Sequence, residues 1–380
     1  MREIRIQGHH SARFEPVAQS FRENFASHGE LGSAIAIYHR NELVVDLWGG
    51  VRDTTSLDPW QEDTIACMMS VAKGVSMACL AIAADRKLIE LDRPVADYWP
   101  EFAAQGKAAI TVRQALGHLA GIPVADLAEP GDIYDWQKMV AAVAGQKPLW
   151  PAGEVQVYHS STLGFISGEL LRRVTGKTAG KFLQDEIAGP LGADYFIGLD
   201  DAKQARCATM VASADNIVNA AKREPEDSIA YRIWKAVPDS ENYNSKQWRS
   251  SEIPSVNGHG TARGVANIYN ALAGGVADGA EPLVSSHVLA DFLKEQLPSG
   301  ETAETNRLRM AVGFMLNSPP HRAMGPNMKT FGHSGAGGSQ SFADPVAGLS
   351  FCYTTNRMHD GTDTGRRATS LIDAAYRSLA

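Results

Sequence analysis

Cysteine is scarce in this chain. There are four in 380 residues, Cys67, Cys79, Cys207 and Cys352, with no Cys-x-x-Cys spacing. That usage argues against a disulfide scaffold and for free thiols in a reducing compartment. No apolar run reaches the length of a membrane span. The opening Met1-Arg2-Glu3-Ile4-Arg5-Ile6-Gln7-Gly8 lacks the continuous apolar core of a signal peptide, so a cytoplasmic location is the expectation. Basic residues form no cluster denser than Arg366-Arg367, and the formal net charge is -7. Nucleic acid and anionic membrane are therefore poor partners. His-Glu-x-x-His is missing, and no Gly-Lys-Ser/Thr follows Gly335-Ala336-Gly337-Gly338, so neither a metal nor a cofactor is expected. Low-complexity segments and internal repeats are also missing.

What is present is an ordinary globular composition, 44% hydrophobic and 21% charged, enough for one large or two intimately joined domains. Phe14, Val17, Phe21 and Phe25 give 13–28 a helical period. Residues 34–39 and 43–48 read as a hairpin turning at Asn41. The middle is helical: 70–84, 110–119 behind the cap Thr111, 135–144, 161–174 ending at Gly176, and 178–187. Residues 200–257 are polar and irregular, the composition of a lid or substrate wall. Helices resume at 261–273 and 285–295. Strands are expected at 310–316, 329–333, 338–343 and 349–354, then a helix at 364–379. Strands at both ends with helices between predict a discontinuous α/β sheet domain, 1–62 and 258–380. Residues 63–257 would form a mainly helical domain, with a cleft between the two.

The stretch Cys67 to Leu80 is almost wholly apolar or small, apart from Ser70, Lys73 and Ser76. On a helix Ser70 and Lys73 lie one turn apart on one face. A lysine in apolar surroundings shifts towards the neutral amine and accepts a proton, which makes Ser70 a candidate nucleophile. Ser-x-x-Lys is a weak motif alone, but it occurs once here. Downstream lie Tyr158-His159-Ser160, just before a helix, and His333-Ser334-Gly335, at a strand end.

In that order these motifs resemble the serine β-lactamase and penicillin-binding-protein superfamily, above all its class C β-lactamase, D-alanyl-D-alanine carboxypeptidase and family VIII esterase branch. The resemblance implies a β-lactamase/transpeptidase-like fold, an antiparallel sheet with terminal helices plus an all-helical domain. It implies Ser70 as the acylated nucleophile, Lys73 as its proton partner and Tyr158 as general base or relay. The neighbouring ammonium would favour a Tyr158 phenolate, and the two titrations would be coupled. The backbone N–H groups of Ser70 and Ala336 would form the oxyanion hole. His333, Ser334, Gly335 and Ser160 would bind substrate, and glycines 335, 337 and 338 would let it approach. Two positions depart from the β-lactamase pattern: Ser160 stands where Asn is common, and His333 replaces the lysine of Lys-Thr-Gly. A neutral histidine holds a carboxylate less well, which moves the expectation from β-lactams to small uncharged esters. The alternatives are a β-lactamase or D-amino-acid peptidase, an acyltransferase, and a non-catalytic sensor. His118 and His159 are expected outside the site, and Trp150, Trp234 and Trp248 in the acyl pocket or the core.

Overall fold

The structure, a computed structural model, describes residues 4–213, 215–238, 243–275, 282–297, 308–320, 322–361 and 363–380. The strands are β1 (Ile6–His10), β2 (Gly32–His39), β3 (Glu42–Gly50), β4 (Ala66–Cys67), β5 (Tyr195–Phe196), β6 (His259–Gly260), β7 (Met315–Leu316), β8 (Phe331–Ser334), β9 (Gln340–Asp344) and β10 (Leu349–Thr355). Seven form one sheet in the order β1-β3-β2-β10-β9-β8-β7, with every pairing antiparallel. The N- and C-terminal halves meet at β2 and β10, where Ile37 faces Phe351 and Ala36 faces Cys352. Two local turns set the register. Arg40 and Asn41 both have positive φ, the geometry of a two-residue type I′ hairpin. After β9, the Asp344 carboxylate accepts from Val346 N and Ala347 N, closing the turn into β10.

Side chains alternate across this sheet, and each face recruits a different layer. Ile35, Ile37, Leu47, Phe342 and Phe351 pack with Val17 and Phe21 of α1 (Glu15–Ser27) and with Leu371 and Ala375 of the C-terminal helix Arg366–Arg377. The opposite face offers Ala34, Ala36, Ala343 and Cys352, small side chains that admit the helix Ala262–Leu272 at close range. Beyond it runs α2 (Val71–Asp85), buried from Val71 to Ala83 all round, as a helix without a polar face must be. Gly74 permits this packing, because a Cβ there would stand 2.0 Å from the Tyr269 hydroxyl.

Several expected elements are reshaped. The strand expected over 310–316 is only β7; Gly313 at φ +69 folds the chain back, and Ala311 N donates to Phe314 O. The helix expected over 110–119 shrinks to α3 (Val112–Leu116), with the Thr111–Gln114 capping box at its start. The 178–187 helix loosens after Leu183 into a π turn. The region 200–257 is not irregular throughout. Four short helices, Asp201–Gln204, Ile217–Lys222, Ile229–Trp234 and Lys246–Ser250, are each capped by a side chain, from Asp200, Asn216, Ser228 and Ser245. Helices of four to six residues are too short to show a period. Strand β1 was not anticipated, nor was the small sheet β4-β6-β5, whose strands of two residues are too short to show a period.

Candidate active site

Ser70 caps α2 from a tight bend, since Met69 before it has φ +47. A bulky residue in that left-handed region carries strain of about 1–3 kcal/mol, which surrounding packing must offset. The packing is visible at Gly335, where a Cβ would lie 2.1 Å from the Met68 carbonyl oxygen. Gly335 therefore admits the close approach of the protein's own backbone. Gly337 likewise has a positive φ and abuts Met358.

Lys73 is fully buried, and its Nζ touches three oxygens: Ser70 Oγ at 3.1 Å, Ser160 O at 2.8 Å and Ser255 O at 2.8 Å. No carboxylate among the described residues pairs with it. Burial pushes its pKa well below the ordinary 10.5. A neutral amine has two N–H groups and one lone pair. In that neutral form the N–H groups can meet the two carbonyls and leave the lone pair for the Ser70 hydroxyl. The Ser160 side chain is not what holds the lysine; its backbone is.

Tyr158 lies beside this pair, with its ring centroid 4.7 Å from Lys73 Nζ. Its hydroxyl interacts with Ser70 and stands 3.5 Å from His333 Nε2. The expectation of an easily formed phenolate is not met. Burial raises the phenol's pKa, and the Ser70 hydroxyl and the Arg322 charge offset this only in part. His333 is fully buried, and its Nδ1 donates to Ser334 O at 2.8 Å, which leaves Nε2 as the acceptor facing Tyr158. Burial pushes its pKa well below 6.5, so the ring is neutral at pH 7.

Ser70, Tyr158, Ser334, Gly335, Ala336 and Gly337 line a cavity of about 220 Å³, with Ile217, Leu308 and Met315 as apolar walls and Arg322 and Asp363 as charged ones. The N–H groups of Ser70 and Ala336 donate to no group among the described residues. His333 and Ser160, expected to bind substrate, are not on the cavity wall; they touch Tyr158 and Lys73 from behind. None of the three tryptophans reaches it: Trp234 and Trp248 are core, and Trp150 Nε1 bonds Val155 O. A larger groove of about 690 Å³, near His28 and Arg357, adjoins at Asp363 but does not include Ser70.

Four contributors were missed in the sequence. Ser255 and Arg322 lie in turns without a motif. His118 and His159, set aside as bystanders, hold Tyr158 from below. His118 has φ +65, its ring lies 4.9 Å from the Tyr158 ring, its Nδ1 accepts His159 N at 2.9 Å and its carbonyl accepts Val157 N at 3.2 Å. His159 in turn bonds Val157 O through Nδ1 and accepts Ile122 N at Nε2.

The family model described as Beta-lactamase matches residues 17–376. The esterase/beta-lactamase LipL of Mycobacterium tuberculosis is 31% identical over 375 residues, covering 93% of this chain and 83% of that protein. A crystal structure of a penicillin-binding-protein homologue from Caulobacter crescentus superposes with a TM-score of 0.89 at 37% identity, covering 98% of this chain and 100% of the other. A family VIII carboxylesterase structure gives the same TM-score, identity and coverage. With that match over nearly its whole length, and with a serine, a lysine and a tyrosine converging on one cavity, the chain belongs to the β-lactamase family and is a serine hydrolase of that fold.

Proposed function

We propose that this protein is a carboxylesterase that cleaves small carboxylic esters through an acyl-Ser70 intermediate. The observation that carries the reading is the Lys73 amine, oriented by two carbonyls and aimed at Ser70 Oγ. In this scheme the Lys73 lone pair takes the Ser70 proton as Oγ attacks the ester carbonyl. The N–H groups of Ser70 and Ala336 receive the developing oxyanion. Tyr158, neutral and adjacent, passes the proton to the departing alkoxide. Water then enters and gives a proton to Lys73 as its oxygen attacks the acyl carbon, and Lys73 passes that proton to Ser70 Oγ as the bond to the acid breaks.

Esters are favoured by the apolar walls Ile217, Leu308 and Met315 of the Ser70 cavity. The carboxylesterase neighbour and the esterase in LipL's description support the same reading. Turnover of p-nitrophenyl acetate, butyrate and octanoate beside nitrocefin tests it. The expected order is short esters first, octanoate slower because of the small cavity, and nitrocefin last. Nitrocefin turning over faster than every ester would transfer the assignment to a β-lactamase.

The clamp on Tyr158 has a measurable consequence. His118→Ala removes the ring packed against Tyr158 and the Nδ1 acceptor, and kcat on p-nitrophenyl butyrate is expected to fall about 10²-fold, the scale of a small misplacement of a reacting group. His118→Asn keeps an acceptor at the δ position and tolerates a left-handed backbone, so it should recover much of that loss. Equal losses in both variants, with unchanged melting temperatures, would contradict a positioning role.

A further inference from the structure

Two charged side chains stand on the wall of the Ser70 cavity, and the acyl-transfer scheme uses neither. Asp363 is largely exposed, 71% for its side chain, and meets His359 Nε2 at 3.2 Å. Arg322 is half-buried, at the end of a turn in which Arg322 N donates to Ser318 O and Ser318 N to Arg322 O. Its Nη1 donates to Ser334 Oγ at 2.5 Å. That is the one hydrogen bond of its guanidinium among the described residues, although the group has five N–H donors. Arg113, Arg173, Arg232, Arg263 and Arg309, all half-buried, each hold a carboxylate. Arg322 has none within ion-pair distance among the described residues, although its charge interacts with the Asp363 carboxylate, and it faces the space in which the acyl-enzyme would form.

We infer that Arg322 binds a carboxylate carried by the substrate, and that half-esters of short dicarboxylic acids are the preferred substrate class. The inference rests on the esterase reading and deepens it. A planar guanidinium pairs with a carboxylate through two parallel N–H···O bonds, fixing orientation as well as charge. Anchored on Ser334, one residue before the Gly335-Ala336 edge, it would lay the acyl chain across Ser70 with its free acid end held. The desolvation of an unpaired guanidinium is a cost that such an anion offsets. The positive charge lacking at neutral His333 is thus supplied from another turn of the chain.

The test compares mono-p-nitrophenyl glutarate with its methyl ester, which differ in the charge of one end. Wild type should favour the acid in kcat/KM by about 10- to 100-fold, the range of a hydrogen bond to a charged group. Arg322→Gln should bring that ratio close to one, chiefly through KM, and Arg322→Lys should restore part of it. Arg322 also faces Tyr158 electrostatically. If Arg322→Gln lowers both substrates equally, it acts through Tyr158 or the fold and the inference is overturned. A wild-type ratio near one overturns it as well. Calorimetric titration of Ser70→Ala protein with monomethyl glutarate, with and without Arg322→Gln, reads binding without turnover. Affinity that depends on Arg322 supports the site even where no ester is cleaved, and no such dependence overturns it.

Discussion

Ser70→Ala, Lys73→Met and the double variant are expected to fall to one common floor, with kcat for p-nitrophenyl butyrate about 10⁴-fold or more below wild type. Groups that act as a unit are grossly non-additive: once the nucleophile or its base is gone, removing the other costs little more. The geometry makes the unit plain. Lys73 Nζ is 3.1 Å from Ser70 Oγ and has no other side-chain hydrogen-bond partner among the described residues. Residual turnover in each variant would come from the free N–H groups of Ser70 and Ala336 and from binding alone. A Ser70→Ala variant that kept wild-type rates would end the acyl-enzyme reading. The pH profile offers a second check. Activity requires the unprotonated amine, so kcat/KM should rise with pH as Lys73 loses its proton. Burial depresses that pKa, so the rise should lie well below pH 10.5.

The second large effect concerns stability. Glu30 is buried, and its carboxylate accepts from Arg367 Nη1 at 2.7 Å, Thr355 Oγ1 at 2.7 Å and the Tyr353 hydroxyl. Arg367 also donates to Arg357 O at 2.6 Å. This network ties the end of β10 to the C-terminal helix and to the loop after α1. Arg367→Met would strand the carboxylate without its cation and should cost about 3–5 kcal/mol in urea unfolding. Adding Glu30→Gln should cost less than the sum of the two single changes, because the stranded charge is then gone. A loss under about 1 kcal/mol for Arg367→Met would show that the pair is effectively solvated. In the sequence Arg366-Arg367 is one of several adjacent basic pairs; the fold separates the two, burying Arg367.

Much of the architecture was legible because its signals are local. The spacing of Phe14, Val17 and Phe21, the cap at Thr111, the glycine at 176 and the Arg40-Asn41 turn each act within a few residues, and each appears as a helix face, a cap or a hairpin. Signals failed where elements are shorter than their own period, as in the short helices of 200–257. They failed again where a single glycine outweighs propensity, as Gly313 does in the 310–316 run.

For the site, the sequence by itself determined the candidate reacting groups: a serine and a lysine one turn apart on an apolar helix, a tyrosine before a helix, and a glycine-rich strand end. Their spacing and the apolar setting follow from covalent neighbours. Only the tertiary structure decided how those groups behave. Lys73 is oriented by backbone carbonyls 87 and 182 residues away, and every residue has such a carbonyl, so no residue type announces it. Tyr158 is held neutral by burial, His118 grips both of its neighbours, and Arg322 enters the cavity from a turn that no motif marks. Protonation and orientation depend on what packs around a group, and packing joins segments that the linear chain keeps far apart.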